Sequence, residues 1–437
     1  MNSSASDRTS EISAERIERD IEAIAALSET PIEAGHNRPT FGAAWARARD
    51  YLLAQATAAG CVHRTDAAGN IHIRHASHPW TERVWLSGSH IDSVPSGGKY
   101  DGVMGVVVPL EILRSHPELP LELVVFAEEE GTTFGVGMLG SRGWAGEFGP
   151  DVLGAIRNAD GRSFLEAGAP FGVDAAKLAL PPGKRDPGDR IDRDSYVGLV
   201  EVHPEQGLSL WRLGCSVAAV DRIAGRRQYS VTLTGQENHA GSTGMLGRRD
   251  ALAGAAELVV ELETLGLELD GTVPGTVLTV GSLTATPGAI NVIAGSTTLT
   301  IDFRSSDPDL LDRGSDRIRE TATRVAYDRG LECAIEATEE IPPRPMSADI
   351  CERLTAAAAS LGVEMKTVTS GALHDAAVVS PYLPTAMIFV ASRDGISHNP
   401  DEFSRIEDVA LAARILATMI ETECGIAHGR QDRDPAV

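Results

Sequence analysis

Imidazoles and carboxylates stand at the ends of four apolar, strand-like runs of this chain. Val84-Trp85-Leu86 breaks at Ser87-Gly88-Ser89 into a loop that delivers His90, Asp92 and Asp101. Leu121 to Ala127 runs straight into Glu128-Glu129-Glu130. Tyr196 to Val202 ends in His203-Pro204-Glu205-Gln206-Gly207, and Pro384 to Val390 leads towards His398. Any one of these alone is compatible with a capping residue or a solvated acidic turn. Together, three imidazoles (His90, His203, His398) with two or three carboxylates (Asp101, Glu129, Glu130) suit borderline divalent ions such as Zn, Mn, Co or Ni, and do not suit Ca or Mg. Five ligands exceed the three of one catalytic zinc and fit two metals sharing a carboxylate, roughly 3.5 to 4 Å apart. In such sites the pKa of a bridging water falls and a substrate oxygen is polarised. A nearby carboxylate that is not a ligand can take the water's proton and pass it to a leaving nitrogen. Adjacent Glu129 and Glu130 can divide these jobs as base and ligand, and Asp92 is placed to hold His90 from behind.

The elements that must position these residues alternate between helix and strand. Helical spacing is expected over Ser13 to Leu27, Thr40 to Ala59 and Gly102 to about Leu113, with strands at Ile71–Ile73 and at the four runs above. Strand, helix and strand in alternation imply an α/β domain whose ligands gather at the carboxyl edge of the sheet. From about Val217 the rhythm changes. Gln228 to Thr234, Thr276 to Leu283, Ser296 to Phe303 and Leu331 to Ile335 read as strands, with helices over Arg248 to Leu265 and Asp309 to Asp328. That β-α-β-β-α-β order is the pattern of a ferredoxin-like module, and its free sheet face makes dimerisation plausible. A helix over Ser347 to Leu361, a strand at Met365 to Val368 and a closing helix over Ile406 to Cys424 return to the first rhythm. The expected division is 1–214 and 336–437 for the catalytic domain, interrupted by an inserted module at 215–335. Residues 147–195 are irregular, rich in Gly, Pro and Asp, with a short helical pattern near Asp174 to Leu180, and residues 150–195 are assigned no role; residues 1 to about 10 read as a disordered lead, and the polar tail after Gly425 reads as loose.

Composition narrows the class. A chain of 437 residues exceeds one ordinary core, so two domains are expected. The longest apolar runs fall far short of the roughly 18 residues that a membrane span needs, and the N-terminus has no apolar signal core. Five scattered cysteines without a C-x-x-C pair fit reduced thiols in the cytoplasm. A net charge of −23, from 39 basic against 62 acidic side chains, argues against nucleic acid and anionic membrane as partners. It leaves room for a small anionic substrate beside local cations.

The motifs GSHIDSVPSGGKYDGVMGV, VVFAEEEGTTFGVGMLGSRGWAG, VEVHPEQG, NHAGSTGM, GAINVIAG, IDFRS, SGALHDA and FVASRDGISHNPDE, in this order over about residues 35 to 420, resemble those of the M20-class metallo-amidohydrolases. The branch is that of N-carbamoyl-L-amino-acid hydrolases, β-ureidopropionases and allantoate amidohydrolases. The resemblance implies a zinc-aminopeptidase-like catalytic domain with a mixed sheet, and an inserted ferredoxin-like dimerisation or lid domain. It implies His90 and His203 as ligands of one metal, Glu130 and His398 of the other, Asp101 as the bridge and Glu129 as general base. It further implies His239, Asn291 and Arg304 of the inserted module as substrate-binding residues that reach or close onto a partner's site in a homodimer. Gln206 and His374 resemble additional pocket residues. His203 marks the ureido-cleaving branch, because typical peptidase members carry a carboxylate there. The chain departs from the family pattern at Pro204, Arg226, Gly244 and Leu373, of which Arg226 offers an extra cation for a second anionic group.

Read chemically, Arg304 is a planar fork suited to a substrate carboxylate, His239 can stabilise an oxyanion, and Asn291 can bind carboxylate or amide. The lesser alternatives are that Arg304, at a strand end, forms a structural ion pair, and that His239, beside Ala240-Gly241, caps a turn. The expected activity is hydrolysis of a linear ureido C–N bond, N-carbamoyl-L-amino acid going to amino acid, carbon dioxide and ammonia. Allantoate or a related ureido acid is the alternative. A dipeptidase or N-acyl-amino-acid hydrolase, and a metal-binding sensor without catalysis, are the rivals; His203 and Gln206 argue against the former, the spare carboxylate Glu129 against the latter.

Overall fold

The computed structural model describes residues 11–425; the expected lead and tail lie outside the described residues. Its contacts divide the chain into two compact units, one holding residues up to Asp221, Met346–Val368 and His374 onward, the other Arg222–Pro345 with Thr369–Leu373. In chain order the strands are β1 (Cys61–Thr65), β2 (Ile71–His75), β3 (Val84–His90), β4 (Leu121–Phe126), β5 (Tyr196–Pro204), β6 (Val217–Ile223), β7 (Gly225–Thr234), β8 (Asn238–His239), β9 (Val277–Thr286), β10 (Val292–Ile293), β11 (Ser296–Ser305), β12 (Glu332–Ile341), β13 (Arg344–Pro345), β14 (Lys366–Ser370) and β15 (Thr385–Val390).

The first unit is built on a mixed sheet of order β1-β2-β4-β3-β5-β15-β6, with β14 added at β6. Strands β4, β3, β5 and β15 run parallel, and β2 and β6 join antiparallel on either side. Those four parallel strands are the four apolar runs of the sequence, buried on both faces as continuous apolar strands must be. The helix Val103–Ser115 is buried along nearly its whole length, and with Ala14–Ala25 and Ile406–Cys424 it supplies much of one core cluster. Each fully buried Val, Leu or Ile there contributes about 1.5–3 kcal/mol. It encloses charged side chains as well, Asp20 and Glu111 among them. Glu111 has no exposed surface and is met by Arg16 Nε at 3.1 and 3.0 Å and by the Ser13 amide at 2.8 Å.

The expected break at Ser87-Gly88-Ser89 does not occur, and β3 continues to His90 itself. Gly88 is there for close approach: a Cβ on it would stand 1.8 Å from the Val124 carbonyl oxygen of β4. The glycine that reads as a turn former is the contact that lets two central strands pair.

Residues 150–195 form a string of short helices laid against the first unit. Phe164 and Phe171 join Phe41, Trp45 and Phe134 in an aromatic cluster. Arg185 donates to the carbonyls of Gly143 and Leu178, and Asp189 accepts the Ala67 amide at 2.8 Å.

The second unit is a four-stranded antiparallel sheet of order β12-β7-β11-β9, which with the helices Ala251–Asp270 and Pro308–Asp328 is the split β-α-β order. Tyr229, Val231, Leu233, Leu299, Ile301 and Phe303 point into its own core. The unit begins and ends later than the expected 215 and 335, because Val217–Val220 of β6 pairs with β15 in the first sheet. Among the described residues no helix is long and apolar enough to cross a membrane.

A buried ionic cluster ties β2 to β4. Glu122, fully buried, accepts from His72 Nδ1 at 2.7 Å, Arg74 Nε at 2.7 Å and the Tyr196 hydroxyl at 2.9 Å, and His72 Nε2 lies 3.3 Å from Asp66. Burial opposes the charge on each partner, but the pairing outweighs it: the pKa of His72 is raised above 6.5, and that of Glu122 falls from 4.5 to about 2. The His72 contribution to stability is therefore fully present below 6.5 and is lost as pH rises through its raised folded value. The Glu122 contribution is present above 4.5 and is lost as pH falls through about 2. Glu122→Ala is expected to cost about 3–5 kcal/mol, with the deficit widest between pH 4.5 and 6.5. Urea unfolding of wild type and variant across pH measures it, and a deficit independent of pH contradicts the assignment.

Candidate active site

The carboxyl ends of β4, β3, β5 and β15 meet at one edge of the first sheet, and every candidate residue of that unit except His374, which caps the helix Asp375–Val379, lies there or in the loops that follow. His90 is the last residue of β3, and His203 is the next-to-last of β5. Asp101 ends the loop after β3. Gly102, at φ +66°, then turns the chain into the following helix, and a Cβ there would lie 2.5 Å from the His90 ring. Glu128 takes a left-handed φ of +56° just past β4, so that Glu129 and Glu130 project from a tight turn. His398, at φ +52°, lies in the loop after β15.

Asp101 is the centre. Its Oδ1 lies 3.1 Å from His203 Nε2 and 3.7 Å from His90 Nε2, while its Oδ2 lies 3.1 Å from His398 Nε2. Glu130 Oε2 is 3.6 Å from His398 Nε2, and Glu129 Oε2 is 3.6 Å from His90 Nε2. The ligating atoms of His90, Asp101 and His203 fall within 4.8 Å of one another, as do those of Asp101, Glu130 and His398. Glu129 belongs to neither trio and stands beside both.

The Nδ1 atoms of His90 and His203 face backbone carbonyls, those of Asp92 and Pro204, each at 3.0 Å. A ring whose Nδ1–H is so engaged presents the lone pair of Nε2, the metal-ligand tautomer. Burial holds the His90 pKa down to about 4. On His203 burial works the same way, but Asp101 outweighs it and raises the value to about 8. Asp101 also has burial against its charge, yet the hydrogen bonds from His203 and His398 keep it ionised well below the usual carboxylate range. Glu129 and Glu130 go the other way. Burial, then the Glu130 charge on Glu129 and the Asp101 charge on Glu130, push both well up. The buried Nε2 of His90 and Oε1 of Glu130 have no hydrogen-bond partner. Orphaned donors to a cation, together with carboxylates repelling one another out of water, are the condition that divalent ions relieve, so the residues fit a metal centre.

Several expected roles change. Asp92 meets His90 through its backbone carbonyl; its carboxylate is 3.7 Å from that ring and instead accepts the amides of Glu130 at 3.1 Å and Glu129 at 3.4 Å. It therefore holds the two-glutamate turn more than the imidazole. Gln206 is not free for a substrate through its amide nitrogen, which donates to Asp101 Oδ2 at 2.8 Å and Ser397 Oγ at 3.0 Å. His374 is buried, edge-on to His203 with ring centroids 4.3 Å apart. Two buried carboxylates were missed. Glu201 accepts from Ser89 Oγ at 2.7 Å and the Ala376 amide at 3.0 Å, and forms a third potential ligand group with His203 and His374. Its signal was there, since Glu201 and His203 alternate onto one face of a strand. Glu402, in the NPDE motif, was the other.

The remaining candidates belong to the second unit. His239 and Asn291 are exposed side by side on the β8–β10 ribbon, where Val292 pairs with His239 and the Ala240 amide donates to the Asn291 carbonyl at 2.9 Å. His239 Nδ1 accepts the amides of Gly241 and Ser242 at 3.0 and 3.1 Å, so it does cap the turn, and its proton resides on Nε2. Arg304 forms the structural ion pair: Nε lies 2.7 Å from Asp302, and Nη1 donates to the Gly371 carbonyl at 2.9 Å. Arg226 is paired with Glu339, which removes it as a free cation for a second anionic group. His239 and Asn291 lie beyond the Ser296 end of β11 and Arg304 near its other end, and β11 between Ser296 and Arg304 is roughly 27 Å long at about 3.4 Å per residue.

The model of peptidase family M20/M25/M40 matches residues 86–422. The N-carbamoyl-L-amino acid amidohydrolase of Geobacillus stearothermophilus is 36% identical over 388 residues, 87% of this chain and 92% of that protein. The allantoate amidohydrolase of Escherichia coli K12 is 33% identical over 88% of this chain and 92% of its own length. Among solved structures, an amidase of the hydantoinase/carbamoylase family from Burkholderia multivorans superposes with a TM-score of 0.82 at 31% identity, covering 94% of this chain and 98% of its own. With the strand-end histidines and carboxylates gathered at one sheet edge and these matches over most of its length, the chain belongs to peptidase family M20/M25/M40 and is a hydrolytic enzyme.

Proposed function

We propose that this protein hydrolyses the carbamoyl C–N bond of a small ureido acid, with an N-carbamoyl-L-amino acid as first choice of substrate. The observation that carries the reading is the division of Asp101, one carboxylate oxygen towards His90 and His203 and the other towards His398. In this reading His90 and His203 hold one divalent ion, Glu130 and His398 the other, and Asp101 is shared. When bound, such a pair supplies Lewis-acid polarisation of the carbamoyl oxygen and an acidified water.

The protein's own groups do the rest. Glu129 stands beside both ligand groups without belonging to either, the place of a base that takes a proton and returns it. It takes a proton from the attacking water and delivers it to the leaving nitrogen. Asp92 fixes the Glu129 backbone. His239 presents an Nε2–H able to donate to the oxygen on which charge develops. Arg304, after serving Asp302 and Gly371, keeps N–H donors on its outer edge for a substrate carboxylate. A ureido acid spans only a few bonds, far less than the length of β11. His239 and Arg304 of one copy therefore cannot both serve one substrate, which supports a homodimer in which the second unit lends His239 and Asn291 to its partner's site.

Allantoate is the second reading, favoured by similarity to an allantoate amidohydrolase over most of both chains. Ammonia release from a panel of N-carbamoyl-L-amino acids, allantoate and a dipeptide tests these choices; turnover of the dipeptide alone refutes the ureido reading. Glu129→Gln is expected to retain its bound metal by elemental analysis and to lose turnover by about 10²–10⁴, whereas full activity removes Glu129 as base. His239→Ala and Glu129→Ala chains, each inactive, are expected to regain activity when mixed, and a mixture that stays inactive contradicts the shared pocket.

A further inference from the structure

We propose that Glu402 is the positioning residue of this site, locking the Asp101 carboxylate and the loop of His398 into one fixed relation. The inference rests on the two-metal reading and goes beyond it. Glu402 is 3% exposed. Its Oε2 accepts the backbone amides of Tyr100 at 2.9 Å and Asp101 at 3.1 Å, and its Oε1 accepts the Ser397 hydroxyl at 3.1 Å. Ser397 Oγ in turn accepts from Gln206 Nε2, whose other proton goes to Asp101 Oδ2. The bonds close a circuit from the Asp101 backbone through Glu402, Ser397 and Gln206 to the Asp101 side chain. Three loops, after β3, β5 and β15, are joined by it.

A second observation comes from the opposite side of the carboxylate. A Cβ on Gly98 would lie 2.1 Å from Glu402 Oε2 and 2.4 Å from its Cβ. Gly98 does not have a left-handed φ, so it is glycine for space alone, and the space is filled by Glu402. The GGK turn is shaped to admit this carboxylate. Groups that hold a ligating carboxylate from behind set its angle, and hence the affinity of what it binds. Because Glu402 acts on the Asp101 backbone and on the segment just before His398, its loss falls first on the Asp101–Glu130–His398 group.

Cobalt(II) titration of the metal-free full-length protein, followed by calorimetry and visible absorption, tests the proposal. Wild type is expected to take two equivalents; failure to take any overturns the two-metal reading itself. Glu402→Ala is expected to weaken one equivalent by about 10–100-fold, to alter the cobalt spectrum, and to lower kcat with KM little changed. Glu402→Gln, whose carbonyl still accepts both backbone amides, is expected to recover most of that affinity. Gly98→Ala, which crowds Glu402 without removing a polar group, is expected to behave like Glu402→Ala. If Glu402→Ala does not fold, Ser397→Ala cuts the same circuit from the surface side, and weaker binding of one cobalt at unchanged melting temperature is the expected result. Two wild-type cobalt affinities and a wild-type spectrum in folded Glu402→Ala, or in Ser397→Ala if that is the variant available, overturn the proposal.

Discussion

Three imidazole nitrogens converge on the two oxygens of one buried carboxylate, and much of the surrounding architecture follows from keeping Asp101 charged. A charge out of water needs its partners at fixed distances. Those partners come from segments about 300 residues apart, so only a sheet that brings strand ends together can assemble them. The same constraint explains why neighbouring carboxylates shift in opposite directions. Asp101 is held ionised by histidines, whereas Glu129 and Glu130, without cations of their own, are driven towards the protonated form.

Behind these groups the protein uses backbone more than side chains. His90 and His203 are oriented by carbonyls, the glutamate turn by Asp92, and the Asp101 loop by Glu402. The left-handed φ values of Glu128, Gln206 and His398 cluster in this edge of the molecule. Backbone strain of that kind persists only where the surroundings over-determine it, as the hydrogen-bonded loops here do.

Much of the site was legible because its chemistry is written at strand ends. Four apolar runs each lead to a His or Glu, and His90, Asp101, Glu130, His203 and His398 do meet. The second unit's strand and helix order was legible from period alone. What failed was local. Gly88 reads as a breaker because a sequence does not reveal that another strand's carbonyl lies where its side chain would be. Arg226 reads as a free cation because Glu339, its partner, is more than a hundred residues away. In the 150–195 segment the helical pattern near Asp174 to Leu180 was legible and matches the helix Ala175–Leu178, whereas the other helices are too short for periodicity and the aromatic contacts are made with distant residues.

The order β5-β15-β6 carries a consequence for how the chain is made. β15 leaves the ribosome after β5, β6 and the second unit, yet it inserts between β5 and β6, hydrogen-bonded to strands on both sides. The second unit's core, by contrast, lies in an almost continuous stretch of chain and can close while synthesis continues. Until residue 390 emerges, the nascent protein presents two bare edges of apolar strand, the kind of surface that recruits chaperones or self-associates. The half-made enzyme is thus most vulnerable at the strand that completes its own catalytic edge.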